Sequence, residues 1–156
     1  MIAAHRFPPS VVKILLDHGV RGRMAIHLAA GQAGKDPTRF EVLDLLLLYG
    51  GDVNEMEPDP KGRRTPRQGR TWSTGTPLHH AIGSCSVDAV RYLLEKGASP
   101  WLPGWSGKSA MAVAESLGND EGIAELIRQM SPPEYSSLSS SQSYSKLESC
   151  QSSKTQ

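Results

Sequence analysis

The chain has 156 residues, with 17 Lys and Arg against 16 Asp and Glu and a formal net charge of +1. That balance marks neither a nucleic-acid binder nor an acidic tail, and the length suits one modest domain, or one domain plus a tail. Two cysteines, Cys85 and Cys150, are too few for a disulfide framework, no apolar run reaches the ~18 residues a membrane helix needs, and MIAAHRFPPS lacks a secretory apolar core, so a soluble, intracellular protein is expected.

Short apolar segments then follow in pairs along the chain. VVKILLDHG (11–19) comes first, opened by Ser10 and closed by Gly19. MAIHLAA (24–30) is followed by EVLDLLLLYGGDVN (41–54), which Asp36-Pro37 introduces. TPLHHAI (76–82) precedes DAVRYLLEKGAS (88–99), which Ser86 introduces, and SAMAVAE (109–115) precedes GIAELIRQM (122–130). Val90, Leu93 and Leu94 fall at i, i+3 and i+4, one face of a helix. Thr76 has the side chain of an N-cap, and Pro77 suits the first helical position, where its missing N–H costs nothing. Gly19, Gly50 and Gly97 each follow a second helix at the C′ position, where a left-handed residue is favoured.

The segments repeat. His27 and His79 are 52 residues apart, and Ala81 and Ala114 are 33 apart. Fixed self-similarity of this length points to stacked helix–turn–helix units, none able to bury its apolar face alone. Counted from the glycines, Met1 falls in the register of His79, so the chain opens in the middle of a first helix. A fragment or truncated form of a longer array is expected on that ground.

TPLHHA followed by VRYLLEKGAS, and IHLAA followed by LLLLYGGDVN, resemble the ankyrin repeat. The resemblance covers roughly residues 1–130. It implies an all-α solenoid of about three and a half helix-turn-helix repeats, with units near 1–20, 24–54, 76–99 and 109–130. It also implies a non-catalytic scaffold that binds another protein through hairpin tips and the concave helix face. Thr76, Pro77, Leu78, His79 and His27 are then scaffold, with His79 bracing Thr76 and the next repeat's backbone. Residues 55–75 form an insertion, AGQAGKDPTRF carries about five extra residues in a loop, and 131–156 read as a Ser-rich disordered tail, with 11 serines in 26 residues.

His79 and His80 are adjacent, but helical neighbours point about 100° apart and do not form a dyad. His80 has Ile2, Leu28 and Val113 as register equivalents, so an apolar residue is expected there, and a half-buried, pH-sensitive imidazole is the reading. A zinc site from His27, His79, His80 and Cys85 lacks paired short-range ligand spacing. Cys85 as a nucleophile lacks an oriented base. No catalytic residue, metal or cofactor is expected.

Partner contacts are expected elsewhere. Trp101 and Trp105 flank Pro103-Gly104 at a hairpin tip, and tryptophan is enriched at interface hot spots. The insertion carries Lys61, Arg63, Arg64, Arg67 and Arg70, with Trp72 at its edge. Trp72, Arg63, Arg64 and Arg67 therefore join the expected contacts, and Thr65 sits in a kinase-like context. The alternatives are acidic-ligand or nucleic-acid binding through 61–70, with nucleic acid disfavoured by the balanced charge, or an accessory region of a longer enzyme. A monomer that does not enter membranes is expected.

Overall fold

The structure, a computed structural model, describes residues 6–20, 24–58, 75–118 and 122–130. Seven helices appear among them: α1 (Pro9–Asp17), α2 (Ala25–Gln32), α3 (Thr38–Leu48), α4 (Pro77–Gly83), α5 (Val87–Glu95), α6 (Ala110–Leu117) and α7 (Ile123–Met130). The only extended pairing among the described residues is an isolated bridge between Pro103 and Ser109. The helices stack as pairs, α2 with α3, α4 with α5 and α6 with α7, while α1 packs on α3. Inner helices α2, α4 and α6 contact one another in series, and α5 packs on α7. Three pairs and one outer helix make the all-α solenoid of three and a half repeats.

Small residues let the inner helices approach. Ala29, Ala30, Ala81, Ala110 and Ala114 are buried to within 1% of completely. Leu78 and Ile82 of α4 are fully buried in the same core as Leu43 of α3 and Val90 and Leu93 of α5. Each fully buried Leu or Ile contributes roughly 1.5–3 kcal/mol through apolar burial. Pro77 stands at the start of α4 and is buried with Leu78. α7 buries Ile123 and Ile127 and turns Glu125, Arg128 and Gln129 outward, as a terminal helix requires.

The three outer helices α1, α3 and α5 end identically. Gly19, Gly50 and Gly97 all have φ between +77° and +89°. Each glycine N–H bonds to the carbonyl three residues back, at Leu16, Leu47 and Leu94, and the next N–H bonds five back, at Leu15, Leu46 and Leu93. This pair of bonds satisfies carbonyls that the helix leaves open. α4 ends by the same two bonds, but its left-handed residue is Cys85, at φ +54°.

Helix starts are more varied. Ser86 and Ser109 cap α5 and α6, accepting from Ala89 N–H and Ala112 N–H at 3.2 Å each. α3 begins after Pro37, yet Asp36 still does the capping: its carboxylate accepts from Thr38 N–H at 3.0 Å, Thr38 Oγ at 2.7 Å and Arg39 Nε at 2.8 Å. Ser10 is not the cap of α1, because the helix starts at Pro9, pre-set by its fixed φ, and Ser10 lies inside it. Nor do the extra residues of AGQAGKDPTRF all form a loop. α3 has 11 residues where α5 has 9, and α2 has 8 where α4 has 7, so helix extension absorbs part of them.

Candidate functional site

His79 and His27 lie on the inner helices α4 and α2 and are both buried. Thr76 and His79 form a capping box in which the N3 side chain is an imidazole. His79 Nδ1 accepts from Thr76 N–H at 3.2 Å and faces the Thr76 hydroxyl at 2.9 Å. The backbone donor assigns the ring proton to Nε2, which donates to the Lys108 carbonyl at 3.2 Å in the next repeat. His27 repeats half of this: its Nε2 donates to the Glu55 carbonyl at 2.8 Å. Met24 stands where Thr76 does, and His27 Nδ1 has no hydrogen-bond partner among the described residues. Burial lowers the pKa of both rings; the nearby His80 lowers both further, and the accepting carbonyls oppose the shift. Thr76, Pro77, Leu78, His79 and His27 are all buried, and Gly19, Gly50 and Gly97 hold the left-handed position after an outer helix.

Glu55 and Glu57 show how the insertion joins the stack. Glu57 N–H bonds to the Gly75 carbonyl at 2.8 Å, closing a neck between the two ends of the intervening residues. Glu55 offers His27 the carbonyl that Lys108 offers His79. A Cβ built on Gly75 would lie 2.9 Å from Gly104 Cα and 2.9 Å from His79 Nδ1. Only glycine allows the neck to come so near the neighbouring tip, and Gly75 is buried there.

That neighbouring tip is the Ala98–Ser109 connection. Asn54 ties it to the preceding loop, donating to the Gly97 carbonyl at 3.2 Å and accepting from Ser99 N–H at 2.8 Å. Inside it, Gly104 N–H bonds to the Lys108 carbonyl and Gly107 N–H to the Gly104 carbonyl, both at 2.9 Å. Trp105 donates its indole N–H to the Glu57 carbonyl at 2.9 Å and is still 39% exposed. Met56 at 38% and Leu102 at 37% are also exposed in these connections. Trp101 behaves differently. It packs against the core, and its indole nitrogen is buried without a hydrogen-bond partner among the described residues.

His80 departs from its apolar register. Its Nε2 lies 3.2 Å from Glu57 Oε2, with side-chain exposures of 14% and 13%, so a carboxylate partners the ring where the register calls for an apolar residue. His27 sits edge-on to it, ring centroids 5.2 Å apart. Sequence reasoning missed Glu57, which makes four contacts: with Gly75, Trp105, His80 and, electrostatically, His27. Its acidic neighbours in the sequence conceal it, and no local pattern marks it. Trp72, Arg63, Arg64, Arg67 and Thr65 lie outside the described residues, as does 131–156. Among the described residues no group of His, Cys, Asp and Glu could hold a metal ion, and no helix is long and apolar enough to cross a membrane.

Residues 74–100, containing α4 and α5, match the family described as ankyrin repeat. The chain is 30% identical over 134 residues to a Rickettsia bellii (strain RML369-C) protein named for ankyrin repeats, a match covering 80% of this chain and 63% of that protein. It is 32% identical over 112 residues to the ADP-ribosylation factor GTPase-activating protein AGD2 of Arabidopsis thaliana, covering 70% of this chain and 12% of AGD2. A third relative, Arabidopsis thaliana XBAT34, named as an E3 ubiquitin-protein ligase, is 33% identical over 89 residues, covering 57% of this chain and 19% of its own length. The chain therefore spans less than two thirds of each of these relatives.

Proposed function

Because the chain belongs to the ankyrin repeat family, we propose that it is a non-catalytic protein-binding scaffold whose contact surface is built on the adjoining tips at Met56–Glu57 and Trp101–Trp105. Repeats of this family generally serve as protein–protein interaction modules. One observation carries the reading for this chain: Trp105 is pinned through its indole N–H to Glu57 and yet keeps 39% of its surface open. An aromatic held in place loses little freedom on binding, so more of its contact energy appears as affinity. Trp101 is moved from contact to support, since it packs inward. Arg63, Arg64, Arg67 and Trp72 lie in sequence between the two sides of the neck and are assigned to the same surface. The non-catalytic part is supported by His79, whose two ring nitrogens are committed to the cap and to the next repeat's backbone. An exposed free thiol at Cys85 supports a reducing, intracellular compartment.

The test starts with capture of binding proteins by the tagged full chain. The affinity of a purified partner is then measured for wild type, Trp105→Ala and the triple change Arg63→Glu, Arg64→Glu, Arg67→Glu. Trp105→Ala is expected to cost about 2 kcal/mol or more, roughly 30-fold in Kd. Affinities unchanged in both variants would overturn the assignment. Five bases between residues 61 and 70 favour a second reading, binding of an acidic ligand, for which affinity would fall steeply with salt. A role as an accessory region of a larger enzyme is a third, favoured by the 12% and 19% of two enzyme-named relatives that the chain spans.

A further inference from the structure

We propose that Glu57, His80 and His27 form a proton-operated latch that sets how firmly the neck of the insertion is held against the Trp105 tip. Glu57 is where the attachments meet. Its N–H holds Gly75, its carbonyl holds the Trp105 indole, and its carboxylate faces His80 at 3.2 Å. A proton on His80 turns that last contact from a hydrogen bond between a neutral ring and a carboxylate into a hydrogen-bonded ion pair. With only 14% and 13% of the two side chains exposed, the pair is screened less than a surface pair. A proton on His80 therefore draws the neck in.

The second proton does the opposite. Among the described residues, the titratable groups that face His80 are Glu57 from the neck, His27 from α2 and His79 on its own helix. Glu55 and Lys108 meet these histidines through their carbonyls. A proton on His27 would place two positive rings 5.2 Å apart in a buried site. A proton on His79 Nδ1 would confront the Thr76 N–H, donor against donor, and break the cap. The first event sets the two rings against each other and the second undoes the cap of α4, although the Glu55 and Lys108 carbonyls themselves favour the charged rings. Protons on His27 and His79, which burial holds back to lower pH, thus work against the neck that a proton on His80 draws in. The device needs no partner and holds whatever the surface binds.

The experiment follows the Trp105 indole N–H resonance of the full chain by NMR from about pH 8 to about pH 5, the range of histidine charging. In wild type the resonance is expected to move downfield as the bond to Glu57 strengthens, then reverse. Glu57→Gln keeps both backbone bonds and should lose the downfield step. His80→Leu should lose it too; its register equivalents Leu28 and Val113 are apolar, so the helix accepts leucine. A monotonic shift in wild type, or the same reversal in both variants, overturns the latch. Neither result depends on partner affinity, so the failure of this proposal and that of the binding surface are separate outcomes.

Discussion

His79 and His27 occupy the same place in successive repeats but do unequal work. His79 joins three polar groups, Thr76 N–H, the Thr76 hydroxyl and the Lys108 carbonyl; His27 joins backbone at Glu55 and Gly75 and leaves Nδ1 without a hydrogen-bond partner among the described residues. Removing an imidazole strands its partners in the interior, at about 1–3 kcal/mol for each buried group left unpaired. His79→Ala should therefore lower unfolding free energy by about 1 kcal/mol more than His27→Ala, read from urea denaturation at neutral pH. Equal losses would show that packing outweighs the hydrogen bonds. Cys85 offers the reverse case. Its φ of +54° is strained for a side chain with a Cβ, whereas glycine adopts it freely. Cys85→Gly should raise stability by about 1 kcal/mol, measured the same way, and a loss would contradict the strain argument. Thr76, Pro77 and Ser86 were legible in the sequence because a cap is a local device. Glu57 was not, since its three hydrogen-bond partners Gly75, His80 and Trp105 are brought to it only by stacking.

Helix ends and helix faces give the elements their shared pH response. His27 and His79 lie on α2 and α4 with folded pKa values below the ordinary 6.5, mainly because burial disfavours the charged ring. The unfolded chain binds protons that the folded chain refuses. Their contribution to stability is complete above 6.5 and is lost as pH falls from there toward the folded values. Asp36 and Asp44 are also held below their ordinary value of 3.8, Asp36 chiefly by its hydrogen bond from Thr38 and Asp44 chiefly by that from Lys96, so they remain charged through this window. The urea midpoint should drop between about pH 7.5 and about pH 5.5; equal midpoints would refute buried neutral histidines. The outer helices were the most legible elements. Gly19, Gly50 and Gly97 announce their ends because the left-handed turn after each helix asks for glycine. The length of α3 was not, because nothing local in KDPTRF says whether extra residues extend a helix or leave it. Trp101 and Trp105 were inseparable on sequence, being alike in type and four residues apart; only the packing of Trp101 on the core divides them.

At the scale of the whole molecule, stacking does two jobs. It shelters apolar faces that no single helix pair could bury, and it holds successive connections in contact. Asn54 links one connection to the next, Gly75 lies against Gly104, and Trp105 is fastened to Glu57. Outer helices add exposed ties, Tyr49 to Asp17 and Lys96 to Asp44, which contribute little individually in high dielectric. Gly75→Ala should disturb this seam: its Cβ would press on Gly104 backbone and on the buried His79 ring, so Trp105 should lose its bond to Glu57 while helix content stays constant by circular dichroism. An undisturbed Trp105 indole resonance in that variant would show that the close approach is dispensable. The most direct measurement of the central claim, that the tips are ordered before any partner arrives, is backbone 15N relaxation of the free chain over residues 54–57 and 98–109. Order parameters near 0.85, level with α4 and α5, are the expected result, and values below about 0.6 with rigid helices would contradict it.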